Sequence, residues 1–201
     1  MNNIHKNIVT VSGVIQSKLK FVNEIMGERF YTTILQITRS SNISDYVPLT
    51  LSDRIVNTAK DYIGRYAEIQ GEIRSYDKPH GSGYKLILSV FADSILFYDE
   101  CPQVDKNSVE ICGCICKLPT YRITPNGREI TDVLLAVNRR YNKSDYIPCI
   151  CWGKGARYAK KLEVGECVTV NGRFQSRNYE KNIDGNIVVN RALEVSVKTI
   201  E

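Results

Sequence analysis

The chain has 201 residues, 43% of them apolar and 24% charged, with a net charge of +5, a globular composition that allows one large domain or two of roughly 100 residues. No run approaches the ~18 consecutive apolar residues of a membrane span, and Met1-Asn2-Asn3-Ile4-His5-Lys6 lacks the apolar core of a signal peptide. A cytoplasmic protein with reduced thiols is therefore predicted.

In chain order, strand patterns run over Val9 to Ile15, Tyr31 to Ile37 and Tyr46 to Leu51. Ser52 or Asp53 can cap a helix ending at Gly64, and Ala67 to Ser75 and Lys85 to Leu96 are later strands. Residues 99–106, polar and containing Pro102, read as a short linker. Beyond it Val109, Ile111, Gly113 and Ile115 alternate with Glu110, Cys112, Cys114 and Cys116 as in a strand. Pro125-Asn126-Gly127 carries a hairpin signal before a β-branched segment from Arg128 to Val137. A third strand spans Tyr146 to Trp152. The period then changes: Ala156, Ala159 and Leu162 lie three apart and Gly165 can end a helix. Val168-Thr169-Val170 resumes a strand, and Asp184-Gly185 turns it towards a last one from Leu193 to Ile200.

The second half repeats the first. Ser44-Asp45-Tyr46-Val47-Pro48 returns 100 residues later as Ser144-Asp145-Tyr146-Ile147-Pro148, and Gly13 and Gly27 return as Gly113 and Gly127. Gly64 and Gly71 return as Gly165 and Gly172 after a shift of 101. Five landmarks in one order predict two copies of one domain. Each copy is three strands, a helix and two strands, so the predicted fold class is all-β with one short helix per domain: two tandem five-stranded OB-fold barrels, 1–98 and 107–201. Periodicity alone also admits two hairpin-and-helix domains.

Charge and cysteine are unevenly distributed. Residues 1–100 hold 11 Lys/Arg against 11 Asp/Glu, whereas residues 101–201 hold 16 against 11, so a polyanion is drawn first to the second copy. All seven cysteines lie after residue 100 and none forms a Cys-x-x-Cys pair. They read as small packing residues in preference to metal ligands. No metal or cofactor is predicted, and neither His5 nor His80 lies near a plausible nucleophile, which argues against an enzyme.

An OB barrel can hold single strands by stacking bases on exposed aromatics beside a basic groove. On the third strand of copy two, Tyr146, Pro148, Ile150 and Trp152 share one face, while Ile147, Cys149 and Cys151 share the other, which suits a core. Two readings stay open for Trp152, the only tryptophan: a stacking platform or a plug at the barrel end. Arg139-Arg140-Tyr141 and Arg177-Asn178-Tyr179 place basic residues beside aromatics in expected loops. Lys154 stands beside Trp152; Arg157, Lys160 and Lys161 read as a solvated helix face.

At these residues the second copy resembles the bacterial single-stranded DNA-binding protein family, over residues 107 to 200. The resemblance rests on Val109-Glu110-Ile111-Cys112-Gly113, Pro125-Asn126-Gly127, Leu135 to Tyr141, Trp152-Gly153-Lys154-Gly155-Ala156, Gly165 and Gly172-Arg173. It implies four stacking aromatics, falling on Tyr141, Tyr146, Trp152 and Tyr179, and basic contacts at Lys154 and Arg177, with Arg139 and Arg140 beside them. It further implies a role in DNA replication, recombination or repair, and a homodimer bringing four barrels together. Copy one departs from the pattern, with Ser52 where copy two has Trp152; its candidate contacts are Tyr46, Arg39 and Arg74. Glu201 follows the last strand directly, so recruitment of partners through an acidic tail is not expected. The alternative reading is a primosome or replication-accessory OB protein acting mainly through protein contacts. Nothing in the residues reads a 2′-hydroxyl, so preference for DNA over RNA comes from the resemblance alone.

Overall fold

The structure, a computed structural model, describes residues 6–81, 83–101, 104–139, 143–183 and 186–201, with side chains described except at 80, 178–183 and 186–190. In the first half the strands are β1 (Asn7–Ile15), β2 (Lys20–Ile25), β3 (Glu28–Thr38), β4 (Ser44–Ser52), β5 (Tyr66–His80) and β6 (Gly83–Tyr98). The second half has β7 (Asn107–Ile123), β8 (Glu129–Asn138), β9 (Ser144–Trp152), α1 (Gly153–Ala159), β10 (Cys167–Ile183) and β11 (Asn186–Ile200).

Pairing closes each half on itself. β1 bonds to β3, β3 to β4, β4 in parallel to β6, β6 to β5, and β5 back to β1. The second half repeats this circuit through β7, β8, β9, β11 and β10. That is the strand order of an OB barrel, with β1 and β2 together matching the single long, bulged β7. Closure brings backbones into contact where the barrel wall bends. A Cβ on Gly71 would collide with the Phe91 carbonyl, and one on Gly172 with that of Ser196, so glycine is required at both repeat positions.

The interior follows the period-two pattern. Val9, Val11, Leu35, Val47, Leu49 and Ile69 fill the first barrel, and Ile111, Leu135, Ile147, Cys151, Val170 and Val195 the second. One helix is seen among the described residues, α1, whose Ala156 and Ala159 are buried. The helix expected between Ser52 and Gly64 is replaced by turns. Asn57 and Asp61 accept backbone N–H bonds from Ala59 and Ile63, each at 3.0 Å. Such local side-chain bonds compete with helix, and Ile55, Val56 and Thr58 add β-branching. The fourth strand of copy two is also longer than expected: Arg177, Asn178 and Tyr179 lie within β10, not in a loop.

The barrels join through β1 and β7, which pair antiparallel with Val9 opposite Val109. These are the same position in the two copies, so a local two-fold axis passes between them. Contacts repeat about it. Asp45 accepts two bonds from Arg39, at 2.6 and 2.5 Å, and one from the Ser176 backbone N–H of the other barrel at 2.7 Å. Asp145 accepts two from Arg139, at 2.6 and 2.5 Å, and one from the Ser75 N–H at 2.5 Å. Both carboxylates are fully buried, and their lone pairs are occupied by charged or backbone donors as burial of a charge demands.

The sequence predicts reduced thiols throughout, but Cys114 and Cys167 form a disulfide. The β7–β10 register sets these residues opposite one another, a pairing that local alternation cannot reveal. Cys149 and Cys151 are buried packing residues as expected. Burial pushes the Cys149 thiol well above its ordinary value and Cys151 up to about 12. Burial likewise raises the Tyr66 phenol to about 12, a hydrogen bond with Ser12 opposing the rise and one to Asp105 adding to it. The folded state therefore favours the neutral forms. The stability they confer is complete below their ordinary values of 9.0 and 10.0 and is lost as pH climbs towards 12. Urea midpoints should fall between pH 8.5 and pH 11 by about the amount such linkage allows, and a flat profile would contradict this burial.

Candidate nucleic-acid interface

On the second barrel a groove of about 720 Å³ opens beside the end of β9. Trp152, the last residue of that strand, forms part of its wall and is half-buried. Its indole N–H donates to Ser196 Oγ on β11 at 3.2 Å, which fixes the ring plane while leaving part of the ring in solvent. Arg128, from the hairpin between β7 and β8, Arg173 and Arg177 from β10 and Lys198 from β11 line the same groove and are exposed. Arg173 and Arg177 are four residues apart on an extended strand and so share a face. Between them Gln175 donates to Glu194 at 2.9 Å, and Arg177 approaches the same carboxylate at 3.5 Å. Arg39 of the first barrel completes the rim. The groove thus offers one aromatic face and a surplus of cations over its single lining carboxylate.

The model of the Single-strand binding protein family matches residues 106–201. Over 102 residues the chain is 33% identical to a single-stranded DNA-binding protein of Clostridium tetani, a match covering 47% of this chain and 70% of that protein. The chain belongs to the single-strand binding protein family. A single-stranded DNA-binding protein of Bacillus cereus is 36% identical over 102 residues, 47% of this chain and 60% of that protein. The chain therefore spans about six-tenths of the length of that relative. The wild-type single-stranded DNA binding protein of Thermus aquaticus, at 19% identity, shares the fold across both barrels: TM-score 0.76, covering 97% of this chain and 91% of that one.

Within this family framework the expected contact residues divide into groups. Trp152 and Arg177 meet in the groove. Lys154 is exposed at the start of α1, next in the chain but one to Trp152. Tyr146 is 45% exposed on β9, six residues and roughly 20 Å of strand from Trp152. Tyr46 lies under the Arg191 guanidinium, 4.7 Å from ring centre to carbon. Arg39, Arg74 and Arg139 are held by carboxylates: Arg39, at the groove rim, by Asp45, Arg139 by Asp145, and Arg74 by both Asp145 and Glu72. Arg140 and Tyr141 lie outside the described residues. The backbone of Tyr179 pairs with Asn190, and its side chain is outside what is described. Arg157 pairs with Glu129, and Lys160 sits 4.6 Å over the Tyr121 ring, so neither is a simple solvated charge. Sequence reasoning missed Arg128, Lys198 and Arg191 and did not weigh Arg173 as a contact. Arg128, directly after the hairpin glycine, was the one with a local signal.

Proposed function

We propose that this protein binds single-stranded DNA with little sequence preference, by stacking bases on aromatic side chains and neutralising phosphates, and that it does so without catalysis. The observation that carries the reading is the half-buried Trp152 ring in a groove with Arg128, Arg173, Arg177 and Lys198. A base offers a π-face whatever its identity, and each stacked base contributes about 1–3 kcal/mol. Tyr146 and Lys154 extend the path, and Tyr46, under Arg191, continues it; Tyr141, Tyr179 and Arg140 are further contacts that the family resemblance implies. Family membership and the names of the relatives support DNA as the ligand. Protection of single strands during replication, recombination or repair in a bacterial cytoplasm is the role that fits such binding.

Titration with poly-dT, read by Trp152 fluorescence at several salt concentrations, tests this. Strong quenching with affinity falling as salt rises is expected. Absence of both quenching and binding at low salt would remove DNA as the ligand. We further propose a homodimer of four barrels, since two barrels are already paired within the chain through β1 and β7. Sedimentation should show a dimer at micromolar concentration, and a stable monomer there would reject that assembly.

A further inference from the structure

The disulfide lies on the seam that closes the second barrel. β7 and β10 pair over six positions, from Cys114 opposite Cys167 to Val109 opposite Gly172, and the bond spans the end pair. Ile111, Ile115, Val168 and Val170 are buried in the core, so alternation turns Cys112, Cys114 and Cys167 to the outer face. Cys167 is exposed and Cys114 partly so, which leaves the bond open to small thiols in solution. Arg173 and Arg177 of the groove lie six and ten residues further along the same strand.

The first barrel closes the same seam without sulfur. Its register sets Val14 opposite Tyr66 and Gly13 opposite Ala67, where the second has Cys114 opposite Cys167 and Gly113 opposite Val168. Tyr66 is buried, and its hydroxyl bonds to Ser12 at 2.6 Å and to Asp105 at 2.9 Å. Those bonds do not respond to a thiol reagent, so a change of redox state acts on the groove-bearing barrel and leaves the seam of its twin as it was. Other thiols are less well placed to exchange. Cys149 and Cys151 are buried. Cys116 Sγ turns to the Leu134 carbonyl at 3.2 Å, and burial raises its thiol above the ordinary value. Cys112, partly exposed two residues from Cys114 on the same face, is the rival.

We propose that Cys114 and Cys167 form a reversible thiol–disulfide exchange site that braces the second barrel under oxidising conditions. The reactant class is a low-molecular-weight disulfide such as oxidised glutathione. One protein thiolate attacks a sulfur of that disulfide, forming a mixed disulfide and expelling one small thiol. The second protein thiol loses its proton and attacks the mixed disulfide, which closes the Cys114–Cys167 bond and expels the other small thiol. Two protein thiols are oxidised and one small disulfide is reduced. Bonds of this kind in a thiol-rich cytosol are as a rule transient and redox-sensing. Closure joins residues 53 apart in the chain, with β8, β9 and α1 inside the loop, and so restricts the unfolded chain more than the folded one. The site needs no ligand in the groove and stands apart from the DNA reading.

Thermal unfolding of the full chain tests this, read by the fluorescence of Trp152, the only tryptophan and a residue of the second barrel. After treatment with oxidised glutathione the midpoint should lie about 5–15 °C above that of the protein held in dithiothreitol. Transfer of the oxidised protein to reduced glutathione should bring the midpoint back down. Alkylation followed by non-reducing peptide mapping should link Cys114 to Cys167 and find Cys112 alkylated. Cys114→Ser combined with Cys167→Ser should melt with the reduced protein whatever the redox buffer, and Cys112→Ser should keep the full response. Equal midpoints for oxidised and reduced wild type would overturn the proposal, as would a bond mapped to Cys112 or a response that survives in the double variant. A bond that persists in reduced glutathione would make the pair a permanent brace and overturn its reversibility.

Discussion

Asp145→Ala should destabilise the protein by about 3 kcal/mol, among the largest effects of any single polar substitution in this chain. The carboxylate is fully buried and accepts from Arg139, Arg74 and the Ser75 backbone N–H. Removing it leaves two guanidinium groups and a backbone donor facing a cavity. Removing one partner of a buried pair typically costs about 3–5 kcal/mol, and the low end applies because Arg139 and Arg74 each keep over a quarter of their side chain in solvent. The bonds to Ser75 and Arg74 cross from one barrel to the other, so the substitution should also loosen the pairing of β1 with β7. Urea unfolding would show a large fall in midpoint, and Asp45→Ala should mirror it at the symmetry-related site. Asp99→Ala removes a pair whose carboxylate is 99% exposed and should leave the midpoint unchanged. An unmoved midpoint in Asp145→Ala would mean that the network adds nothing over hydration.

Trp152→Ala should weaken poly-dT binding by about 1–3 kcal/mol, roughly 5- to 150-fold in affinity, with little change in fold stability. The ring is half-buried and bonded through its N–H to Ser196, so truncation removes a preset stacking face and one neutral hydrogen bond. Arg173→Ala should act differently, lowering the slope of log affinity against log salt by about 0.7, because one phosphate fewer is neutralised. Fluorescence anisotropy of a labelled oligo-dT separates the two: one variant shifts affinity at every salt concentration, the other changes the slope. If Trp152→Ala and wild type bind oligo-dT alike, Trp152 is a barrel-end plug and the stacking surface lies elsewhere.

Much of the fold is legible in the chain itself. Alternation places Val9, Val11, Ile111, Cys149 and Cys151 inwards and Tyr146 outwards because successive strand side chains point to opposite faces, a local rule needing no partner strand. The repeat from Ser44–Pro48 to Ser144–Pro148, with its glycine landmarks, is enough to announce two copies of one barrel. The missing helix after Ser52 shows where local reasoning misleads: a capping residue and a terminal glycine bracket the segment, but Asn57 and Asp61 bond to the backbone between them. What only the tertiary structure decided is convergence. Arg128, Trp152, Arg173 and Lys198 come from four elements, and barrel closure alone brings them to one groove. Arg39, Arg74 and Arg139 have the sequence character of phosphate contacts, yet Arg39 and Arg139 fold back onto buried Asp45 and Asp145 of their own hairpins, and the pairing of the two barrels brings Arg74 to Asp145 as well. The Cys114–Cys167 bond likewise waits on the register of β7 with β10. A strand's own sequence specifies which face each residue takes; which distant strand lies beside it, and in what register, is set by the closing of the barrel and the pairing of the two copies.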